Sequence, residues 1–131
     1  MIRHSRFALV MSAVAVLSLV ACAPEDITPT EPFALEGTTL VLEPMPQAEC
    51  DPTQPYAVKA RWSVADWAEP KFDFHIGSTQ GQLWARVNAA EGESTTDAWV
   101  TPGMWFVMLD RESRQMVAAT PAPALVCPAA S

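Results

Sequence analysis

Apolar and polar side chains alternate along the chain from Tyr56 to Val64. The apolar set is Tyr56, Val58, Ala60, Trp62 and Val64, and it is interleaved with Lys59, Arg61 and Ser63. Successive side chains of an extended strand point to opposite faces, so a period of two puts the apolar set on one side. This segment therefore predicts a β-strand with one buried face, and a strand needs a sheet around it.

Six further segments have the composition of short strands, and no window shows sustained helical periodicity. They are Thr38–Glu43, Phe72–Ile76, Leu83–Val87, Thr96–Thr101, Met104–Leu109 and Gln115–Thr120. The strand at 104–109 is apolar on both faces and should be the most buried, whereas residues 88–95 are predicted as a polar loop. Seven short strands separated by turns predict an all-β chain folded as a single β-sandwich.

Two features of these strands carry a family resemblance. Trp62 lies in the middle of the second predicted strand, and Pro102-Gly103 precedes the penultimate one. Between Thr38 and Thr120 the chain resembles immunoglobulin-like and fibronectin type III-like domains, although Trp105-Phe106 stands where the latter have a tyrosine. The resemblance implies a seven-stranded sandwich and no particular function.

The first 22 residues have a different character. Arg3, His4 and Arg6 precede an apolar run at residues 7–20, which is too short to span a bilayer comfortably. The run ends in Leu19-Val20-Ala21-Cys22, which resembles the lipobox of bacterial lipoproteins. The resemblance implies that residues 1–21 are a signal peptide, cleaved before Cys22, and that Cys22 carries the lipid. An uncleaved anchor and an ordinary signal peptide are the alternatives.

Lipidation would place the protein in the bacterial cell envelope, bound to the lipid membrane through acylated Cys22. Ala23 follows the cysteine, which by the sorting rule of enteric lipoproteins favours the outer membrane over the inner. Residues 22–37 are rich in proline and acidic residues and predict a flexible linker. Residues 38–128 then form the sandwich domain, and residues 129–131 form a tail.

Two cysteines remain once Cys22 is lipidated. Cys50 precedes the second predicted strand and Cys127 follows the seventh, so alternating strands put both at one pole of the sandwich. In a compartment outside the cytosol this arrangement predicts a Cys50–Cys127 disulfide. Neither cysteine has a nearby Cys or His at ligand spacing, so we expect no zinc site and no cofactor.

The charge of the mature chain limits its partners. Without residues 1–21, six Lys and Arg face 15 Asp and Glu, a formal charge of −9. Nucleic-acid binding needs a basic surface, so we expect no nucleic-acid partner.

Catalytic and metal-binding sets are weak in this sequence. His75 is the only histidine after Cys22, and on the polar face of its strand, beside Asp73, it is expected to be a solvated surface residue. Acid pairs for glycoside cleavage could come from Asp66, Glu69 and Asp73. Three methionines, Met104, Met108 and Met116, would suit Cu(I) with His75 but more often fill a core. We therefore expect a protein that is not an enzyme and holds no metal.

The five tryptophans are the strongest candidates for a binding surface. Trp62 should be core, whereas Trp67, in a loop, and Trp84, opposite the apolar residues of its strand, are expected to be partly exposed. Exposed aromatic side chains anchor protein partners or stack on sugars. The sequence thus favours a non-enzymatic interaction or structural module with an envelope protein partner. The alternative is a module that binds cell-wall carbohydrate through Trp67 and Trp84.

Overall fold

The computed structural model describes residues 24–128, so the predicted signal peptide, Cys22 and the tail at 129–131 lie outside the described residues. Eight strands and no helix occur between residues 24 and 128. They are β1 (Phe33–Ala34), β2 (Thr38–Pro44), β3 (Val58–Val64), β4 (Phe72–Ile76), β5 (Gln82–Val87), β6 (Glu91–Thr95), β7 (Trp105–Asp110) and β8 (Met116–Pro121). Over this range there is accordingly no helix that could cross a membrane.

The strands form two antiparallel sheets. The five-stranded sheet has the order β1-β8-β7-β4-β5, and the three-stranded sheet has the order β2-β3-β6. The all-β fold is as predicted and is consistent with a β-sandwich, but the predicted count of seven strands is wrong. Strand β7 is the middle strand of its sheet, and its residues 106–110 are all buried, as its apolar sequence predicts.

The core lies between the two sheets. One cluster of buried residues packs around Trp62 and Phe74, and a second packs around Tyr56 and Phe106. Their rings reach across the sandwich, since the centroids of Trp62 and Phe74 lie 5.3 Å apart. The apolar alternation that predicted β3 is confirmed, because Val58, Ala60, Trp62 and Val64 are all buried.

Strand β6 occupies part of the segment that was predicted as a loop. Its second residue, Gly92, pairs with Trp62 of β3 and lies under the indole ring. A Cβ atom at Gly92 would lie 2.8 Å from Cζ2 of Trp62. The large ring thus fills the core position that an apolar side chain of β6 would otherwise take.

The strand predicted at Thr96–Thr101 does not form. Its first residue still bonds to Val58, through both its backbone N–H and its hydroxyl oxygen. A turn then intervenes before Val100 makes a single bridge to Tyr56. The segment is therefore held at both ends while Trp99 projects between them.

The predicted linker is not free of structure over residues 24–37. Residues 24–34, here termed the N-terminal strap, include β1, which pairs with β8 through Phe33 and Ala34. Upstream, the Ile27 N–H donates to the Thr79 hydroxyl over 2.8 Å, and the Thr79 N–H returns a bond of 3.0 Å to the Ile27 carbonyl. The prediction of a flexible linker is therefore wrong for residues 24–34, because the backbone of this segment bonds to β8 and to Thr79 and needs no apolar pattern to do so.

Cys50 and Cys127 lie at disulfide distance, with Sγ atoms 2.01 Å and Cα atoms 5.5 Å apart. Six strands, β3 to β8, separate the two cysteines, which is the number predicted between them. The additional strand β1 precedes Cys50, so it does not change the prediction that both cysteines lie at one pole of the sandwich.

Candidate functional site

Trp84 lies at an irregularity of the edge strand β5. Phe74 of β4 pairs with Ala85, but the next residue, His75, pairs with Leu83, so Trp84 is the extra residue of a β-bulge. A bulge changes the side to which a residue points. Trp84 is thereby turned toward the core, and the expectation that it faces away from the apolar residues of its strand is wrong.

The indole of Trp84 joins both core clusters yet stays half-buried. Its centroid lies 5.5 Å from the Phe106 ring and 6.4 Å from that of Trp99, with an angle of 72° between the two indoles. Trp99 in turn stacks on Phe106, with an interplanar angle of 13°. Trp99, which is also half-buried, is therefore the partner of Trp84 at the surface.

The two indoles open into a groove of about 350 Å³, here termed the tryptophan groove. It is lined by Ile76, Gln82, Leu83, Trp84, Trp99 and Met104. Leu83 is 40% exposed and lies on β5, the last strand of its sheet. The groove thus combines apolar side chains, one amide and a strand edge that no other strand within residues 24–128 pairs with.

Trp67 does not belong to this groove. Its ring packs on Phe72, at the start of β4, with centroids 5.7 Å apart. Its Nε1–H donates to a carboxylate oxygen of Asp110 over 3.3 Å. Trp67 is half-buried, as predicted for a partly exposed loop residue, but it is held beside the end of β7 rather than next to Trp84.

Asp110 has an unusual carboxyl group. Burial disfavours its charged form, but hydrogen bonds from the Ser113 backbone and hydroxyl, from Trp67 and from the Glu112 backbone outweigh this and lower the pKa of Asp110 below 3.8. Its Oδ2 accepts from the Ser113 N–H at 2.8 Å and from the hydroxyl at 2.7 Å. Asp110 thus ties the β7–β8 turn to Trp67.

A charged cluster lies on the outer face of the five-stranded sheet. Asp73 is 1% exposed, and its carboxylate meets Arg111 at 2.9 Å and both Arg86 and Arg114 at 3.4 Å. Arg111 further donates to Asn88 and to the carbonyls of Phe72 and Val87. Arg111 therefore joins β4, β5 and the β7–β8 turn as a structural clamp.

His75 is part of the same cluster. Its Nδ1 lies 2.7 Å from the carbonyl oxygen of Gly81, so Nδ1 carries the proton, and Nε2 accepts from Arg114 at 3.4 Å. The histidine is 9% exposed, so the expectation of a solvated surface residue is wrong. Both ring nitrogens are engaged by the fold itself.

The other candidate sets are dispersed. Met108 is buried between the sheets, Met116 lies on the outer face and Met104 lines the tryptophan groove. Asp66 and Glu69 are exposed, while Asp73 is paired with arginines. Among residues 24–128 there is no group of three His, Cys, Asp or Glu side chains that could hold a metal ion.

No family model matches the chain, and searches of curated proteins and of solved structures return no significant match.

Proposed function

We propose that the protein is a lipid-anchored component of the bacterial cell envelope that acts by protein–protein contact and not by catalysis. The basic head, the apolar run and the lipobox-like Leu19-Val20-Ala21-Cys22 support export and acylation of Cys22. Two or three acyl chains would hold the protein at the membrane without a spanning segment.

We further propose that the sandwich is of the immunoglobulin-like or fibronectin type III-like type. Strands A, B and E of such domains share one sheet, and strands C, F and G share the other. The two sheets here divide in the same way if β2, β3 and β6 correspond to A, B and E, and β4, β7 and β8 to C, F and G. On this assignment β5 extends the second sheet beside strand C, as an additional strand does in variable-type domains.

The observation that carries the proposed function is the tryptophan groove beside β5, the edge strand of its sheet in the described part of the chain. Protein interfaces are enriched in tryptophan and methionine at their centre, and an extended segment can add to an open strand edge. Trp84, Trp99 and Met104 supply the first feature, and β5 supplies the second. We propose this groove, which includes Trp84 but not Trp67, as the contact surface for an envelope protein.

A photocrosslinking amino acid at Leu83 tests this proposal in intact cells. The matched control is Val41, which is 48% exposed and lies on the other sheet. We expect one discrete protein adduct from position 83 and none from position 41. Adducts of equal yield at both positions, or none at position 83, would count against the groove as a partner surface.

The alternative function, binding of cell-wall carbohydrate, rests on the half-buried Trp84 and Trp99 beside the amide of Gln82. The two indoles meet at 72°, so a sugar ring would stack on one of them and not on a flat platform. Titration with cell-wall glycan fragments distinguishes the two functions. Saturable quenching of tryptophan fluorescence would favour the carbohydrate, and unchanged fluorescence would favour the protein partner.

A further inference from the structure

The N-terminal strap is fixed to the outer face of the five-stranded sheet close to its own beginning. Thr79 bonds to Ile27 twice, and its hydroxyl also donates to the Glu25 carbonyl over 3.2 Å. The Gln80 N–H donates to the Asp26 carboxylate over 3.1 Å. Four hydrogen bonds thus hold residues 25–27 against the β4–β5 connection.

Side chains extend this contact across the sheet. Pro24, Glu25 and Ile27 form one wall of a crevice of about 200 Å³, whose other residues are Thr79, Gln80, Leu109, Arg114 and Met116. Leu109 belongs to the apolar cluster on the outer face of this sheet, and it is fully buried. The strap therefore covers a surface that would otherwise be exposed to solvent.

Cys22 is only two residues from Pro24, which limits the distance between the lipid and the folded domain. Two residues span at most about 7 Å when fully extended. A free linker over residues 22–37 would instead leave the domain tens of ångströms away. We propose that the outer face of the five-stranded sheet is the membrane-facing surface of the protein and that its occupant is the phospholipid bilayer. This inference rests on the lipidation of Cys22 in the proposed function.

The distribution of charge agrees with this orientation. Four carboxylates belong to this face and its strap, namely Asp73, Glu25, Asp26 and Glu31, and three arginines nearly balance them: Arg86, Arg111 and Arg114. Arg86 is 61% exposed, so its guanidinium is available to a phosphate headgroup. Because residues 24–128 carry six Lys and Arg and 15 Asp and Glu, most of the excess negative charge lies on the other surfaces. An anionic bilayer therefore repels the other, more acidic surfaces more strongly than it repels the outer face of the five-stranded sheet.

The orientation also determines what the protein presents to the rest of the envelope. The two sheets of a sandwich lie about 10 Å apart, so the three-stranded sheet, with Val41 on its outer side, faces away from the bilayer. The tryptophan groove, at the β5 edge, opens to the side. A partner that reaches the groove would approach parallel to the membrane surface.

Fluorescence quenching in vesicles tests the orientation. The full protein, purified from bacterial membranes with its lipid, would carry a fluorescent amino acid at Gln80 or at Val41. It would be reconstituted into phosphatidylethanolamine–phosphatidylglycerol vesicles that contain a nitroxide-labelled headgroup lipid. We expect severalfold stronger quenching at position 80 than at position 41. A flexible Gly/Ser insertion of about 20 residues between Ala23 and Pro24, with a mean reach of about 25 Å, should abolish this contrast.

The outcomes separate this inference from the proposed function. Lipidated protein that is quenched equally at both positions, or more at position 41, would overturn the orientation alone. Protein whose mass shows no lipid on Cys22 would overturn the proposed function and this inference with it. The variant Thr79→Val checks the strap directly, since loss of the hydroxyl should accelerate amide exchange at Ile27 severalfold; unchanged exchange would contradict the docked strap.

Discussion

The Nε atom of Arg111 lies 2.9 Å from the carboxylate of Asp73, which is almost completely buried beneath it. Arg86 and Arg114 approach the same carboxylate at 3.4 Å, so this carboxylate is the shared ion-pair partner of three arginines. Removal of the shared partner of a buried ion pair leaves charges without compensation.

We therefore expect Asp73→Asn to destabilise the fold by about 2–3 kcal/mol, less than for a fully buried pair because the arginines are partly solvated. Urea unfolding of residues 22–131 at neutral pH measures this loss. The matched control is Glu93→Gln, whose carboxylate meets Arg61 at 3.2 Å on the exposed face of the other sheet and should contribute less than about 1 kcal/mol. Equal losses in the two variants would contradict the structural role of Asp73.

Asp110 predicts a dependence of stability on pH. Its folded-state pKa lies below the ordinary 3.8, so the unfolded chain takes up the proton first as pH falls. The stabilisation from the ionised carboxylate is therefore complete well above pH 3.8 and is lost as pH falls through the folded-state pKa. The variant Asp110→Asn should be less stable than the parent at pH 7, and the difference should shrink below pH 3.8. A difference that is constant from pH 7 to acid would disprove the assignment.

Gly81 is required by close packing of the backbone and not by an unusual dihedral angle. A Cβ atom there would lie 1.9 Å from the carbonyl oxygen of Ile76. Gly81→Ala should thus shift the β4–β5 connection, break the bond from His75 to the Gly81 carbonyl and cost about 1–3 kcal/mol. Thermal unfolding monitored by circular dichroism measures this effect. Ser78→Ala in the same connection is the control, and an equally mild effect of both variants would be inconsistent with the close contact.

The Cys50–Cys127 pair predicts a response to reduction. Its sequence separation is 77 residues, and a loop of that length contributes about 2–4 kcal/mol when closed. The double variant Cys50→Ser/Cys127→Ser should unfold at lower urea concentration, and reducing agent should lower the stability of the parent but not of this variant. Two titratable thiols in the unreduced parent, denatured and with Cys22 blocked, would show that the bond is absent.

The strands that bury an apolar alternation could be predicted from the sequence. Val58–Val64 and Phe72–Ile76 were found because alternate residues face the other sheet. Strand β6 could not be predicted, because a ring from β3 fills its core position. A polar strand that contains glycine at that position shows no alternation of apolar and polar residues. A cross-strand neighbour of this kind is visible only in three dimensions.

Three further errors have local causes. The bulge at Trp84 reverses the side on which the indole lies, and no residue in β5 marks its position. His75 alternates with apolar residues, a pattern that predicts a solvent-exposed side chain. In the fold its ring is buried by contacts with Arg114 and the Gly81 carbonyl. The N-terminal strap is held by bonds from its own backbone to the backbone and hydroxyl of Thr79, and its composition does not reveal them.

The candidate surface was therefore only half predictable. Trp84 was expected to be partly exposed and does line a groove, but its companion is Trp99 and not Trp67. The pairing depends on the turn after Thr96, which replaces the predicted strand and projects Trp99 toward Phe106.

The proposed function and the membrane-facing surface both depend on the chemistry of Cys22. The most direct measurement is the intact mass and N-terminal fragmentation of the protein purified from bacterial membranes. We predict a chain that begins at Cys22 and carries a diacylglycerol thioether on its sulfur. A chain that begins at any other residue, or a Cys22 without lipid, would contradict the assignment as an envelope lipoprotein.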